Sequence, residues 1–245
     1  MQSQTDVARL EELGYELWRA PVVEELDGWR LRFAHGLTGR ANAVWPNADL
    51  GTLPLDEKIA RAERFYRDRD FPPRFQLTDA ARPAGLAAAL DARGYQPRGE
   101  PVAVEIAEAL PRAVAHDEVE VDERLDNALL ELFLDARRFS NRDVARTLLT
   151  GSPGRITFAR IGDVAIGRGV ALDGWLGVTS MWTAPAARRR GCARAILDTL
   201  LAWAGRLGCE RALLQVESTN RGARALYEQV GFRPSHEYRY VLAPE

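Results

Sequence analysis

The chain has 245 residues, 46% of them hydrophobic and 28% charged, enough for one large domain or two small ones. Its formal net charge of −2 excludes a whole-protein electrostatic footprint for nucleic acid. All its basic residues except Lys58 are arginines, so a single arginine run carries little weight by itself. The cysteines Cys192 and Cys209 lack metal-site spacing, which predicts a reduced, cytoplasmic protein without a metal. The N-terminal MQSQTDVARLEEL carries acids and no signal-like apolar core, and no apolar run is long enough for a membrane span.

In chain order, residues 4–13 read as a short helix. Strand-like pieces follow at 15–19, 28–33 (GWRLRF, alternating) and 40–45 (RANAVW), the last stopped by Pro46. Residues 55–68 are predicted helical, with Ile59, Ala62, Phe65 and Tyr66 at helical spacing, and Pro72-Pro73 breaks the pattern. A strand at 75–77, a helix at 84–93 closed by Gly94, and a strand at 102–106 complete the first half. EALPRAVAHD, 108–117, reads as a linker.

The pattern then restarts. A short strand at 119–121 precedes helices at 126–138 and 142–150, the latter with Ser140 as expected N-cap. Strands at 155–161, 164–172 and 175–183 are joined by Gly162-Asp163 and Asp173-Gly174, residues suited to hairpin turns. An amphipathic helix begins near Gly191, with a stripe of Ala193, Ile196, Leu197, Leu200, Leu201, Ala204 and Leu207. A strand at 211–216, a helix at 220–230 closed by Gly231 and a strand at 237–242 end the chain.

The halves repeat each other. GYQP at 94–97 matches GFRP at 231–234, each after a helix, an offset of 137. FQL at 75–77 faces LQV at 214–216, and Val44-Trp45-Pro46 sits where Thr183-Ala184-Pro185 sits. Matches in the same order imply two copies of one architecture. The expected division is 1–110, a linker at 111–117, and 118–245.

PAARRRGCARA, 185–195, has the layout of an anion site: strand end, basic turn, small residues, helix. The first N–H groups of a helix lack internal partners, and its dipole favours negative charge there. Gly191 and Ala193 clear the backbone, while Arg188, Arg189 and Arg190 add charge. Neither GxxxxGK[ST] nor GxGxxG occurs, so Walker and dinucleotide sites are excluded.

Arg188-x-x-Gly191-x-Ala193 resembles the Q/R-x-x-G-x-G/A signature of the GCN5-related N-acetyltransferases. Thr183-Ala184-Pro185 resembles the end of that family's fourth strand, and NRGARALYEQVGF, 220–232, resembles its N-x-x-A-x-x-L-Y-x-x-x-G-F helix. The resemblance covers 119–242 and makes the first half a degenerate second copy. It implies two α/β (α+β) domains, each a mixed, mostly antiparallel sheet flanked by helices. It also implies transfer of an acetyl group from acetyl-CoA to a primary amine, on a small molecule or peptide, in a ternary complex.

By the same resemblance, residues 189–194, including Cys192 and Arg194, wrap a pyrophosphate. Met181, Trp182 and Thr183 pair with the pantetheine arm; Asn220, also an expected N-cap, reaches that arm or a nearby backbone, and Ala223 counts among the cofactor-binding residues. Tyr227, seven residues after Asn220 and so on nearly the same helical face, protonates the leaving thiolate. A phenol near its reference pKa of about 10 suits that task. Cys192 takes the family's apolar position and reads as packing.

The family's glutamate base has no counterpart in WLGVTSMWTAP, and Gln215 stands where some members carry one. Glu217, His236, Glu237 or water are the candidates for the base. The first half has NADLGTLPLDEK in place of the arginine turn, Leu90 in place of Tyr227 and Pro83 in place of Asn220. It is expected to bind no coenzyme A and to shape the acceptor side. Trp29 and Trp45 are core residues or pocket walls. The competing readings are a non-catalytic acyl-CoA-binding module and, more weakly, a nucleic-acid binder using the arginine run.

Overall fold

The computed structural model describes residues 4–244. The chain forms two compact units. Unit 1 is Met1–Ala103, Glu217–Thr219 and His236–Glu245, and unit 2 is Val104–Val216 and Asn220–Ser235. Neither unit is continuous in sequence.

Unit 1 opens with helix α1 (Gln4–Glu16), then strands β1 (Val22–Leu26), β2 (Trp29–Phe33) and β3 (Val44–Trp45). Helix α2 (Leu55–Arg67), strand β4 (Arg74–Leu77) and helix α3 (Leu86–Ala92) follow. β1–β2 and β2–β3 are antiparallel and β3–β4 is parallel. Beyond β4 lies the last strand, β11 (Arg233–Leu242), with Tyr240 opposite Gln76 and Leu242 opposite Arg74. Trp29, Leu31, Phe33, Val44 and Phe75 pack from the sheet against Ile59, Ala62, Phe65 and Tyr66 of α2 and Leu86 and Leu90 of α3. Period 2 on the strands and period 3.6 on α2 make this one contiguous core.

β5 (Gln96–Ala107) contributes 104–107 to unit 2. There follow β6 (Glu120–Asp122), α4 (Asn127–Arg137), α5 (Arg142–Thr150), β7 (Arg155–Ile161), β8 (Ala165–Leu172) and β9 (Trp175–Thr183). A 3-10 turn at Pro185–Ala187 leads into α6 (Cys192–Arg206), β10 (Arg211–Glu217) and α7 (Arg221–Val230). β6 to β9 form an antiparallel meander, and β10 joins β9 in parallel. α6 buries Ile196, Leu197, Leu200, Leu201, Trp203 and Ala204, a wider face than the expected stripe.

Three local readings are corrected and one strand is added. Residues 15–19 are not a strand: α1 runs on to Glu16, and buried Tyr15, Leu17 and Trp18 only mimic alternation. Of 40–45 only Val44–Trp45 is strand, because 34–42 is a loop braced by Asn42, whose Oδ1 accepts from the N–H of Ala34 and of Gly36. The N-cap of α5 is Asn141 in place of Ser140, its side chain accepting from Val144 N at 3.1 Å. β1 has no sequence-level counterpart; VVEEL is an edge strand with a mostly exposed pattern.

Candidate functional site

In unit 2 the parallel ladder pairs 211–214 with 175–178 and stops there. The outer half of β9, 179–183, therefore turns an unladdered edge away from β8. The cause is local. Arg168 faces Thr179 but Ile166 faces Trp182, so β9 carries an extra residue and bulges at Ser180, whose φ is +54°. Gly167 makes room for it: a Cβ there would lie 2.6 Å from Met181 Sδ and from Ile196 Cγ2. Buried Arg168 holds the inner side, donating to Leu149 O at 2.7 Å, Ser152 Oγ at 2.8 Å and Thr179 Oγ1 at 3.1 Å. Met181, Trp182 and Thr183 are half-buried along this edge.

The edge leads through Pro185 to the start of α6. Arg189 (φ +61°) and Gly191 (φ +87°) both adopt the left-handed conformation. For an arginine this costs roughly 1–2 kcal/mol; glycine adopts it freely. Gly191 is the N-cap and supplies no side-chain cap, so the first N–H groups of α6 point outward. Arg188, Arg189, Arg190 and Gly191 are exposed, while Cys192 and Ala193 are half-buried. Arg188 Nε donates to Thr183 O at 3.3 Å, and Arg194 pairs with Asp198 at 2.7 Å. Arg194 thus spends its charge within its own helix.

On α7, Asn220 Oδ1 accepts from Ala223 N at 3.2 Å and caps the helix. Tyr227 is buried against Phe232, ring centroids 6.0 Å apart. Burial first, and the Glu105 carboxylate second, push its phenol up to about 12, against a smaller opposing pull from Arg137. The reference value assumed from sequence is corrected upward; a phenol of this kind stays protonated across the physiological range.

Glu105 escaped the sequence reading. It is a buried carboxylate on β5 whose Oε1 accepts from Arg224 Nε at 2.8 Å. The signal was present: one acid inside the apolar run VAVEIA, a residue type almost never buried without a partner. The acids and the histidine named as candidate bases belong to unit 1. Glu217 and Glu237 are exposed members of unit 1, and Glu237 accepts from Ser218 Oγ at 2.6 Å. His236, also in unit 1, bonds Glu11 at 2.9 Å. Among the described residues no cluster of three or more His, Cys, Asp or Glu could hold a metal.

The corresponding region of unit 1 is built differently. Its parallel pair has a single bridge, Val44 to Phe75. The Pro46 carbonyl that follows is taken by Arg82 N at 2.6 Å, and Trp29 Nε1 donates to Arg82 O at 2.7 Å. The NADLGTLPLDEK loop is pinned by Lys58, whose Nζ reaches Asp27 O at 2.6 Å and Asp49 Oδ1 at 2.9 Å. Trp29 and Trp45 are both core residues.

The meander, the parallel strand splayed at a bulge and the glycine-capped helix define a GCN5-related N-acetyltransferase, an acyltransferase. The chain belongs to the family described as "Probable histone acetyltransferase Rv0428c C-terminal", which matches residues 5–241. It is similar to "Uncharacterized N-acetyltransferase YobR" of Bacillus subtilis (strain 168), 27% identical over 250 residues, 97% of this chain and 98% of the relative. A GCN5-related N-acetyltransferase from Kribbella flavida shares the fold at TM-score 0.68 and 16% identity, over 100% of this chain and 97% of that one. A tandem GNAT protein from the clavulanic acid biosynthesis pathway does so at TM-score 0.59 and 13% identity, over 78% and 70%. No helix among the described residues is long and apolar enough to cross a membrane.

Proposed function

We propose that the protein transfers an acetyl group from acetyl-CoA, held by unit 2, to the primary amine of a small molecule or peptide. The observation that carries this reading is the open β9 edge at 179–183 running into the uncapped, glycine-led start of α6. A strand edge offers N–H and C=O groups to the amides of pantetheine. The N–H groups after Gly191, with the helix dipole behind them, suit a pyrophosphate. Arg188, Arg189 and Arg190 add a positive field, and Arg189 and Arg190 act mainly through their backbone. Asn220 and Ala223 set the start of α7 alongside.

Acetyl-CoA supplies a thioester whose carbonyl carbon takes the amine nitrogen. Tyr227 keeps its proton until the C–S bond breaks and then gives it to the thiolate, whose conjugate thiol has a pKa of about 8.5. The proton released by the amine passes through water to the Tyr227 phenolate, so that coenzyme A leaves as the thiol and the phenol is restored. Glu105 positions Arg224, and its charge adds to burial in keeping Tyr227 protonated. Unit 1 takes no coenzyme A, because its corresponding strand end is closed by Arg82 and its loop by Lys58. The test is turnover of an amine library, read as coenzyme A release, with Tyr227→Phe beside wild type. The reading expects a loss of kcat of roughly 10²-fold or more with binding retained. Unchanged turnover in Tyr227→Phe would remove its acid role, and binding without any turnover would leave an acyl-CoA-binding module.

A further inference from the structure

One face of the unit 1 sheet is apolar and packs on α2 and α3; the other carries Trp45, stacked on Tyr15 of α1, together with polar side chains. β4 places Arg74 and Gln76 on this second face, and β11 sets Tyr240 opposite Gln76. Arg32 of β2 reaches the same layer, donating from Nη2 to Gln76 Oε1 at 2.9 Å and from Nε to Ala43 O at 3.0 Å. Gln76 in turn donates to Glu11, which also bonds His236.

Arg32, Arg40 and Arg74 supply three cations around Tyr240, and the one carboxylate acting on Arg32, Glu11, is also bonded by Gln76 and His236. The Nε atoms of Arg40 and of Arg74 are buried and have no hydrogen-bond partner among the described residues. Among the described residues Arg74 makes no ion pair, and its guanidinium lies over the rings of Phe71 and Tyr240. Arg74 Cζ lies 5.5 Å from the Tyr240 ring centroid. Gly39, just before Arg40, is pressed so close that a Cβ would meet Arg74 Nη1 at 3.1 Å and Tyr240 Cε2 at 3.2 Å. The loop carrying Arg40 is held by Asn42, which accepts from Ala34 N and Gly36 N and donates to Thr38 O at 2.7 Å.

Stacking on an aromatic ring satisfies the face of a guanidinium but not its in-plane N–H groups. A buried, unmet N–H is costly and rare in a native structure. The Nε edge of a guanidinium binds carboxylate or phosphate oxygens through parallel bonds. We propose that Arg40 and Arg74, arranged about Tyr240, form an anion-binding site in unit 1 for a small molecule bearing a carboxylate or phosphate group. This site does not depend on the acetyl-transfer reading of unit 2.

The experiment is thermal unfolding and calorimetric titration of the full chain with sodium phosphate and, separately, sodium acetate, against chloride at equal ionic strength. Wild type is expected to show an oxyanion-dependent rise in Tm that chloride does not reproduce. A rise with phosphate alone assigns a phosphate group; a rise with acetate, alone or as well, assigns a carboxylate-sized oxyanion. Arg40→Gln and Arg74→Gln each lose the response, with affinity down about tenfold or more. In the absence of oxyanion both variants keep wild-type Tm or exceed it, since an uncompensated charge has been removed. No oxyanion-specific shift in wild type, or an unchanged response in both variants, overturns the proposal. So does a large loss of Tm in both variants without oxyanion, which would make the arginines structural.

Discussion

Glu105 accepts the Arg224 Nε–H at 2.8 Å, and its charge acts on Tyr227, three residues further along α7. The carboxylate is nearly inaccessible, whereas the Arg224 side chain is 31% exposed. Arg224→Met should therefore cost roughly 3 kcal/mol, near the lower end for orphaning a buried charge. Glu105→Gln should cost less and bring the Tyr227 pKa down. Chemical denaturation checks the first, and ultraviolet titration of the phenols against Tyr227→Phe checks the second.

The Tyr227 phenol is raised to about 12 from a reference of 10.0. In that window the folded state holds a proton the unfolded chain has lost. Stability therefore falls as pH rises from about 10 through about 12. Tyr66 and Tyr95 are raised in the same direction, mainly by burial, and steepen the decline. Denaturant midpoints measured across this range should drop, and less steeply in Tyr227→Phe.

Asp27 behaves oppositely at acid pH. Hydrogen bonds from Thr52 first, then Lys58, hold its carboxyl at about 2 against 3.8. Its contribution is complete above about 4 and is lost as pH falls through about 2. Asp27→Asn should flatten the acid limb of the stability curve between those values. Lys58→Met should also unpin the 47–54 loop, read as faster proteolysis there.

Gly167→Ala would drive a Cβ against Met181 and Ile196. Overpacking of this kind costs about 1–3 kcal/mol. Because Met181 belongs to the bulge that opens β9, coenzyme A affinity should fall with stability. Asn220→Ala, by contrast, removes the N-cap of α7 and should cost about 1 kcal/mol of stability. Thermal melts with and without coenzyme A separate the two effects.

Much of this fold was legible in the residues. Turns needing glycine or aspartate, helices with 3–4 spacing and the motif from Pro185 to Ala193 lay where their patterns put them. Patterns failed where tertiary context overrode them. The run from Tyr15 to Trp18 alternates because a helix end buries it, and 40–43 forms a turn and bends held through Asn42 instead of pairing with a neighbouring strand. The bulge at Ser180 has no composition signal, since it is set by Gly167 and Arg168 on the adjacent strand. Glu105 was hidden because its partner Arg224 lies 119 residues away. The cationic layer of unit 1 joins residues from β2, the following loop, β4 and β11, which no local spacing reveals.

The proposed acetyl transfer requires a single coenzyme A site in unit 2, formed by the β9 edge and the start of α6. Isothermal titration of the full chain with acetyl-CoA tests it most directly, beside Gly191→Ala, whose added Cβ meets nothing but whose φ of +87° favours glycine. One site per chain is expected, weakened about tenfold in the variant as the turn is strained by roughly 1–2 kcal/mol. No binding, two sites per chain, or a variant that binds as wild type does would contradict it.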